Sequence, residues 1–260
     1  MAGDRKQLDK YREMTETPVE RLIIRLAIPS TISLLVPSVY NLADTFFVGM
    51  LKSNAATGAV GVVFPMMSII QAVGFFFGHG SGNYMSRTLG EKNYDEASKM
   101  AATGFFSALA MGVVICVLGQ IFLEPLAYAL GSTDTILEYT KDYMRIILLG
   151  APWMTASLVL NNQLRFQGSA IYAMVGITSG AVLNIGLDPL LIFTCKMGVA
   201  GAGLATIISQ FVSFVILLIG CSKGDNIRIS IRHVQLKLSY YLQIIKGGLP
   251  SLARPVRSMQ

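Results

Sequence analysis

Two aspartates directly follow long apolar stretches of the chain, where a carboxylate is costly. Asp44 follows the uncharged residues 26–43, and Asp188 follows the uncharged residues 166–187. A charge at the centre of a bilayer costs at least about 2.5–3.5 kcal/mol on insertion scales, so such residues mark functional sites. Two buried carboxyls tend to hold a proton or a cation, which is the physical basis of ion-coupled transport. The alternative is that each aspartate lies near a helix end and reaches the headgroups.

The second aspartate belongs to a repeat of four residues. The repeat consists of Gly176, Gly180, Asn184 and Asp188. Residues at this spacing share one helical face, and the two glycines allow a neighbouring helix to approach closely. Pro189 cannot donate to the carbonyl group four residues earlier, which leaves a backbone oxygen near the amide and the carboxylate. This set of hard oxygen atoms suits Na⁺ or a proton-linked water.

The first aspartate has polar and proline neighbours on its own helical face. Asn41 and Pro37 share that face, and Pro29 lies two turns before Pro37. Two prolines in a spanning helix permit a bend that changes with state or a fixed kink. Thr206 and Tyr143 could add hydroxyl groups, although a threonine hydroxyl in a helix also bonds back to its own backbone.

The elements that carry these side chains are six predicted membrane-spanning helices. The chain has 260 residues, of which 53% are hydrophobic and 14% are charged, whereas a typical soluble domain has about 25% charged residues. Uncharged stretches lie at 26–43, 53–86, 100–123, 146–164, 166–187 and 197–222, and each is long enough to cross a bilayer. The first should continue to about residue 50. Because the second is too long for one span, its residues 53–57 are expected to form a loop.

The distribution of basic residues predicts the orientation. Up to residue 246, the N-terminal segment and the loops on its side of the membrane carry 15 lysines and arginines, whereas the opposite loops carry four. This asymmetry places both termini in the cytoplasm of a multi-pass protein of the cell inner membrane. The predicted organisation is a cytoplasmic segment at 1–21, a six-helix lobe at 22–222 and a cytoplasmic region at 223–260.

The region at 223–260 differs from the spanning stretches in its pattern of apolar and charged residues. Its apolar residues fall on one helical face and are Val234, Leu238, Tyr241, Leu242 and Ile245. With lysines nearby, this pattern predicts an amphipathic helix that lies in the membrane interface. Residues 247–260 are too short and too charged to span the bilayer.

No motif in the chain indicates an enzyme. Its three cysteines form no CxxC pair, and the sequence contains no HExxH, GxSxG or P-loop pattern, which argues against zinc chemistry, a serine hydrolase and an ATP-driven pump. We therefore expect no enzymatic activity, no cofactor apart from a coupling ion, and no nucleic-acid partner.

Several stretches together resemble the multidrug and toxic compound extrusion (MATE) transporters. They are AIPS at 27–30, NLADTFFVG at 41–49, GAVG at 58–61, NNQLRFQG at 161–168, NIGLDP at 184–189 and GAGLATIISQ at 201–210. The resemblance implies an all-α polytopic membrane protein whose six-helix bundle corresponds to one lobe of a twelve-helix transporter, plus a cytoplasmic amphipathic helix. It also implies antiport, in which alternating access exchanges Na⁺ or H⁺ for hydrophobic, often cationic drugs.

The resemblance assigns roles to particular residues. In relatives with a cation site in the N-terminal lobe, the matching positions are Asp44, Asn184, Asp188 and Thr206. Tyr143 and Asn41 are then expected near the cavity, and Pro29 is expected to be the proline that bends the first helix.

The C-terminal end departs from the family pattern. Residues 247–254 resemble the start of the family's seventh helix, but the polar residues 255–260 follow. We therefore expect only the N-terminal lobe, inactive in export unless it meets a separate C-terminal lobe or a second copy. The alternatives are a lipid-linked precursor flippase of a related superfamily, for which a cationic cavity is expected, and a non-transporting membrane scaffold or remnant.

Overall fold

The computed structural model describes residue 12, residues 14–223 and residues 226–257, and this part of the chain contains helices and no strands. The α-helices are α1 (Val19–Gly49), α2 (Asn54–Gly90), α3 (Tyr94–Ile121), α4 (Leu123–Ala129), α5 (Leu137–Phe166), α6 (Ala170–Pro189), α7 (Gly198–Ser222) and α8 (Leu238–Arg257). A π-helical turn (Leu190–Thr194) follows α6, and a 3₁₀ turn (Ile231–His233) precedes α8. Most of the predicted N-terminal segment 1–21 and the last residues 258–260 lie outside the described residues.

Six of these helices are long and apolar enough to cross a membrane. They are α1, α2, α3, α5, α6 with its π-helical turn, and α7. Each matches one of the uncharged stretches, so the prediction of an all-α, six-span membrane protein is confirmed.

The prediction of a loop at residues 53–57 was wrong. Helix α2 begins at Asn54 and continues for 37 residues. Ser53 caps it, because the Ser53 hydroxyl accepts a hydrogen bond of 3.2 Å from the backbone N–H of Ala56, which satisfies a donor that a helix start leaves unpaired. At about 1.5 Å per residue the helix is about 55 Å long. It is therefore longer than the hydrocarbon layer, which is about 30 Å thick.

Helix α5 lies at the centre of the bundle. It packs against α2, α3, α6 and α7, whereas α1 packs chiefly against α6. The glycine face predicted on α6 meets α7: a Cβ atom at Gly180 would lie 2.8 Å from the Cβ atom of Ser213, and one at Gly176 would lie 2.4 Å from Leu217 Cδ2. The two glycines therefore permit an approach that any side chain would prevent.

The C-terminal helix differs from its predicted bounds. It begins at Leu238, so Val234 lies before it, and it continues without a break past Gly247 to Arg257. Between Leu238 and Pro250, where burial is described, the buried residues of this helix are Tyr240, Ile244 and Gly248.

Contact with α2 determines this orientation of α8. A Cβ atom at Gly80 of α2 would lie 2.3 Å from the carbonyl oxygen of Ile244, and one at Gly248 would lie 2.4 Å from the carbonyl oxygen of Phe76. The predicted apolar face does not make this contact, because Leu238, Leu242 and Ile245 remain exposed.

Candidate cation site

A hydrogen bond between the first and the central helix orients Asp44. The hydroxyl group of Tyr143 donates to Asp44 Oδ2 over 3.1 Å. Asp44 lies in the last turns of α1, and Tyr143 lies in the second turn of α5. Asp44 is 5% exposed and Tyr143 is fully buried. The carboxylate therefore lies inside the bundle, and the possibility that it reaches the headgroups does not apply.

The second carboxylate lies on α6 beside the predicted amide. Asn184 Nδ2 donates to Asp188 Oδ1 over 3.3 Å, and Asp188 is fully buried. Pro189 ends α6 directly after this residue, and the π-helical turn begins at Leu190. Irregular turns of this kind are frequent at functional sites. The sequence did not predict the π-helical turn, and the backbone carbonyl freed by Pro189 stays a prediction.

Three buried oxygen atoms of these residues have no hydrogen-bond partner. They are Asp44 Oδ1, Asn184 Oδ1 and Asp188 Oδ2. The helices that carry the two carboxylates, α1 and α6, pack against each other, and no base within the described part of the chain forms an ion pair with either carboxylate. Because buried polar atoms are normally paired, these oxygens fit a proton or a hard cation such as Na⁺.

Thr206 lies on the helix that faces these residues. It is 2% exposed on α7, one turn after Gly203, where a Cβ atom would lie 3.2 Å from the ring of Tyr143. Near the start of the same helix, a Cβ atom at Gly201 would lie 2.8 Å from the backbone of Leu191 in the π-helical turn. Helix α7 therefore packs against both Tyr143 and the turn that follows Asp188.

The two remaining predicted residues lie elsewhere along α1. Asn41 is half-buried and lines a cavity of about 260 Å³ between α1, α2, α5, α6 and α7. Pro29 is buried but does not line this cavity. It precedes Asp44 by 15 residues, which corresponds to about 22 Å along a helix. The structure therefore places Pro29 away from the cation cluster, and its role in bending α1 stays a prediction.

The sequence did not predict a further polar link, which joins α1 to α7. Gln210 Nε2 donates to the hydroxyl group of Tyr40 over 3.0 Å. Tyr40 lies one turn before Asp44, and Gln210 lies one turn after Thr206. The helical spacing of the polar residues on α7, namely Thr206, Gln210 and Ser213, is the signal that could have located this row.

The cavity beside the site is lined by both apolar and polar side chains, none of which is charged. Its lining residues are Ser33, Leu34, Pro37, Ser38, Tyr40, Asn41, Phe64, Gln71, Phe75, Met154, Leu158, Asn161, Ile177, Gly180, Ala181, Gln210 and Ser213. The hydroxyl oxygen of Ser213 is buried without a hydrogen-bond partner. Tyr40 and Gln210 form one wall, so the cavity lies next to the helical turns that carry Asp44 and Thr206.

The sequence comparisons agree with this architecture. The model of the MatE family matches residues 29–190. The multidrug export protein MepA of Staphylococcus haemolyticus (strain JCSC1435) is 30% identical over 237 residues, which cover 91% of this chain and 52% of that protein. MepA of Staphylococcus aureus (strain MRSA252) is 27% identical over the same length and coverage. The chain spans about half the length of these relatives.

Solved structures have the same fold. An outward-facing multidrug resistance transporter of the MATE family and MOP superfamily has a TM-score of 0.83 at 30% identity, covering 93% of this chain and 54% of that one. A MOP superfamily transporter from Pyrococcus furiosus Vc1 (DSM3638) has a TM-score of 0.84 at 29% identity, with the same coverage of both chains. The six spanning helices therefore correspond to one lobe of such a transporter, and the chain belongs to the MatE family of multidrug and toxic compound extrusion proteins.

Proposed function

We propose that this chain is the cation-coupling lobe of a multidrug antiporter that exchanges Na⁺ or H⁺ for hydrophobic, cationic drugs. The observation that carries the proposal is the set of three buried, unpartnered oxygens on Asp44, Asn184 and Asp188. A cation or a proton at this position offsets two negative charges that would otherwise lie unpaired in a medium of low dielectric constant.

The proposed coupling acts through the position of α1. Asp44 is on α1 and Asp188 is on α6, and α1 packs chiefly against α6. A cation between the two carboxylates draws these helices together, and its loss leaves two like charges that repel each other. Because α1 also lines the cavity, its displacement changes the space that is offered to a drug.

Each of these residues has its own role in the proposed ion site. Tyr143 holds Asp44 by donating to one carboxylate oxygen, and Asn184 holds Asp188 in the same way. The other oxygen of each carboxylate, together with the amide oxygen of Asn184, remains for the ion. Thr206, on the facing helix, is the residue that we propose as a further hydroxyl ligand.

The drug site requires more protein than this chain supplies. The cavity of about 260 Å³ is smaller than most pockets for drug-sized ligands, which occupy about 300–1,000 Å³. We propose that a second lobe completes it, as a separate chain or as a second copy, because alternating access moves one lobe against another. The chain alone is then expected to bind the ion but not to export drugs.

A flippase for lipid-linked pyrophosphates is the second candidate, and the cavity argues against it. Such a substrate is expected to need bases, whereas the lining residues include no lysine, arginine or histidine. In the Pyrococcus furiosus relative, the reverse polarity of the binding pocket suggests a different function, so pocket charge is a useful criterion within this superfamily. A scaffold without transport does not explain the unpartnered oxygens.

The proposed setting is the cytoplasmic membrane, with both termini in the cytoplasm and with a transport activity rather than an enzymatic one. Six apolar helices support the multi-pass arrangement. Reporter fusions on the two sides of α2 test the orientation: a cytoplasmic reporter should be active after Lys92 and inactive after Lys52.

Dye movement in proteoliposomes tests the proposal. The chain is reconstituted alone and fused to the C-terminal half of the Staphylococcus haemolyticus relative, and a Na⁺ or pH gradient is imposed. We expect ion-driven movement of a cationic dye only with the fusion, and we expect Asp188→Asn to abolish it. The matched control is Asp142→Asn, an exposed carboxylate on α5. Unchanged transport by Asp188→Asn would exclude Asp188 from the mechanism.

A further inference from the structure

The chain after residue 225 contains bases and no acids. Its basic residues are Arg228, Arg232, Lys237, Lys246, Arg254 and Arg257, and neither aspartate nor glutamate occurs from residue 226 to the end. Arg228, Arg232, Lys237 and Lys246 are exposed. None of these four forms an ion pair within the ranges that the structure describes. This segment therefore presents positive charge that no acid in the described part of the chain pairs with.

Large apolar side chains accompany these bases. Ile231, Leu236 and Leu238 are 70%, 83% and 72% exposed. On α8, Leu242, Ile245 and Leu249 are also exposed, and their spacing continues the stripe that Leu238 begins. An exposed apolar stripe with adjacent bases is typical of a helix that lies at a membrane surface.

The bundle holds this segment in one orientation. The backbone N–H of Ile227 donates to Gln167 Oε1 over 2.7 Å, and that of Gln235 donates to the hydroxyl of Thr103 over 3.0 Å. Tyr240 and Ile244 are buried on the α2 side of α8. Because one side is anchored to the spanning helices, the bases and the apolar stripe are presented outward as a preformed surface.

We infer that residues 228–249 form a binding surface for anionic phospholipid headgroups, which we call the basic rim. The apolar stripe enters the boundary between headgroups and acyl chains, and the bases lie at the level of the phosphates. Anionic lipids are favoured over zwitterionic ones because each unpaired base near the surface adds attraction and no acid in the segment opposes it. The basic rim does not depend on the proposed ion coupling.

A spin label on α8 tests this inference. The full chain, with Cys116, Cys195 and Cys221 replaced by alanine, carries the label at Leu242→Cys. It is reconstituted in phosphatidylcholine alone or mixed with phosphatidylglycerol. The measurement is the ratio of label accessibility to oxygen, which dissolves in lipid, and to a nickel chelate, which dissolves in water. We expect the ratio to rise when phosphatidylglycerol is added and the rise to shrink at high salt.

Charge removal supplies the decisive control. In the triple variant Arg232→Gln/Lys237→Gln/Lys246→Gln, the accessibility ratio should no longer rise when phosphatidylglycerol is added. The control variant Lys52→Gln/Arg145→Gln/Lys196→Gln removes three exposed bases elsewhere, and its ratio should still rise. Equal ratios in both lipid mixtures, or a rise that survives in the first variant, would overturn the inference. Low accessibility to both reagents in every lipid would overturn it too, because a second copy of the chain would then cover the stripe. Membrane abundance and elution as a single species confirm that each variant is folded.

Discussion

The Tyr143 hydroxyl and the Asp44 carboxylate form a buried hydrogen bond between residues 99 positions apart in the chain. This bond directs one carboxylate oxygen toward α5 and leaves the other without a partner. It also links α1 to the central helix near the end of α1 that carries the proposed ion ligand. The geometry of the cation site therefore depends on an aromatic side chain as well as on the carboxylates.

Replacing Tyr143 with phenylalanine should weaken ion binding without unfolding the chain. A hydrogen bond to a charged group contributes about 1.5–3 kcal/mol, so we expect the apparent affinity for the coupling ion to fall about 10-fold to 100-fold. The measurement is the ion concentration that gives half-maximal dye movement by the two-lobe fusion. Tyr139→Phe, one turn earlier and 46% exposed, is the control. Equal affinities in the two variants would mean that the hydrogen bond does not orient Asp44.

Sodium should stabilise the chain against thermal unfolding if Na⁺ is the coupling ion. Binding stabilises a folded state by about 2.7 kcal/mol when the ligand is at about 100 times its dissociation constant. We expect Asp188→Asn to raise Tm in choline chloride, because it removes an unpaired buried charge, and to abolish the further rise in sodium chloride. Asp142→Asn should behave as the unmodified chain.

The same thermal measurement distinguishes Na⁺ from H⁺. If H⁺ is the coupling ion, sodium should have no effect on the unmodified chain. Acidification should then stabilise it more than it stabilises Asp188→Asn. A sodium-dependent rise that persists in Asp188→Asn would place the ion away from this residue.

The bond between Gln210 and Tyr40 should be energetically coupled. Gln210→Leu leaves the buried Tyr40 hydroxyl without its donor, which should cost about 1–3 kcal/mol. Combining Gln210→Leu with Tyr40→Phe should recover part of this loss, because both polar partners are then absent. A double-mutant cycle of unfolding free energies in detergent measures the coupling. Strictly additive losses would show that the two side chains do not interact.

Because α6 and α7 approach each other closely at Gly180, replacing this glycine with a larger residue should destabilise the chain. An added Cβ would lie 2.8 Å from the Cβ of Ser213 and 2.9 Å from the carbonyl oxygen of Ser209, and such overpacking costs about 1–3 kcal/mol. Gly180→Ala should therefore lower Tm. Gly186→Ala is the matched control, since an added Cβ at Gly186 has no neighbouring atom within 4 Å. It should leave Tm unchanged or slightly raised, and equal losses would refute the packing argument.

Hydropathy and helical periodicity are local properties, and they were sufficient to predict the six spanning helices, the glycine face of α6 and the polar set on Asp44, Asn184 and Asp188. A span is recognisable because about 20 consecutive residues must all be compatible with lipid. Residues four positions apart share a face in any helix. These features need no knowledge of what the helix packs against.

Packing between elements that are distant in the sequence determined the contacts that the sequence did not predict. The sequence does not specify which helix faces which, so it did not reveal that Gln210 reaches Tyr40 or that Tyr143 orients Asp44. The C-terminal helix is the clearest case: the sequence predicted an apolar stripe that lies in the membrane interface, and only the structure shows that Ile244 and Gly248, on a different face, pack closely against α2. A backbone approach at glycine depends on the shapes of both partners, and only the folded chain brings those partners together.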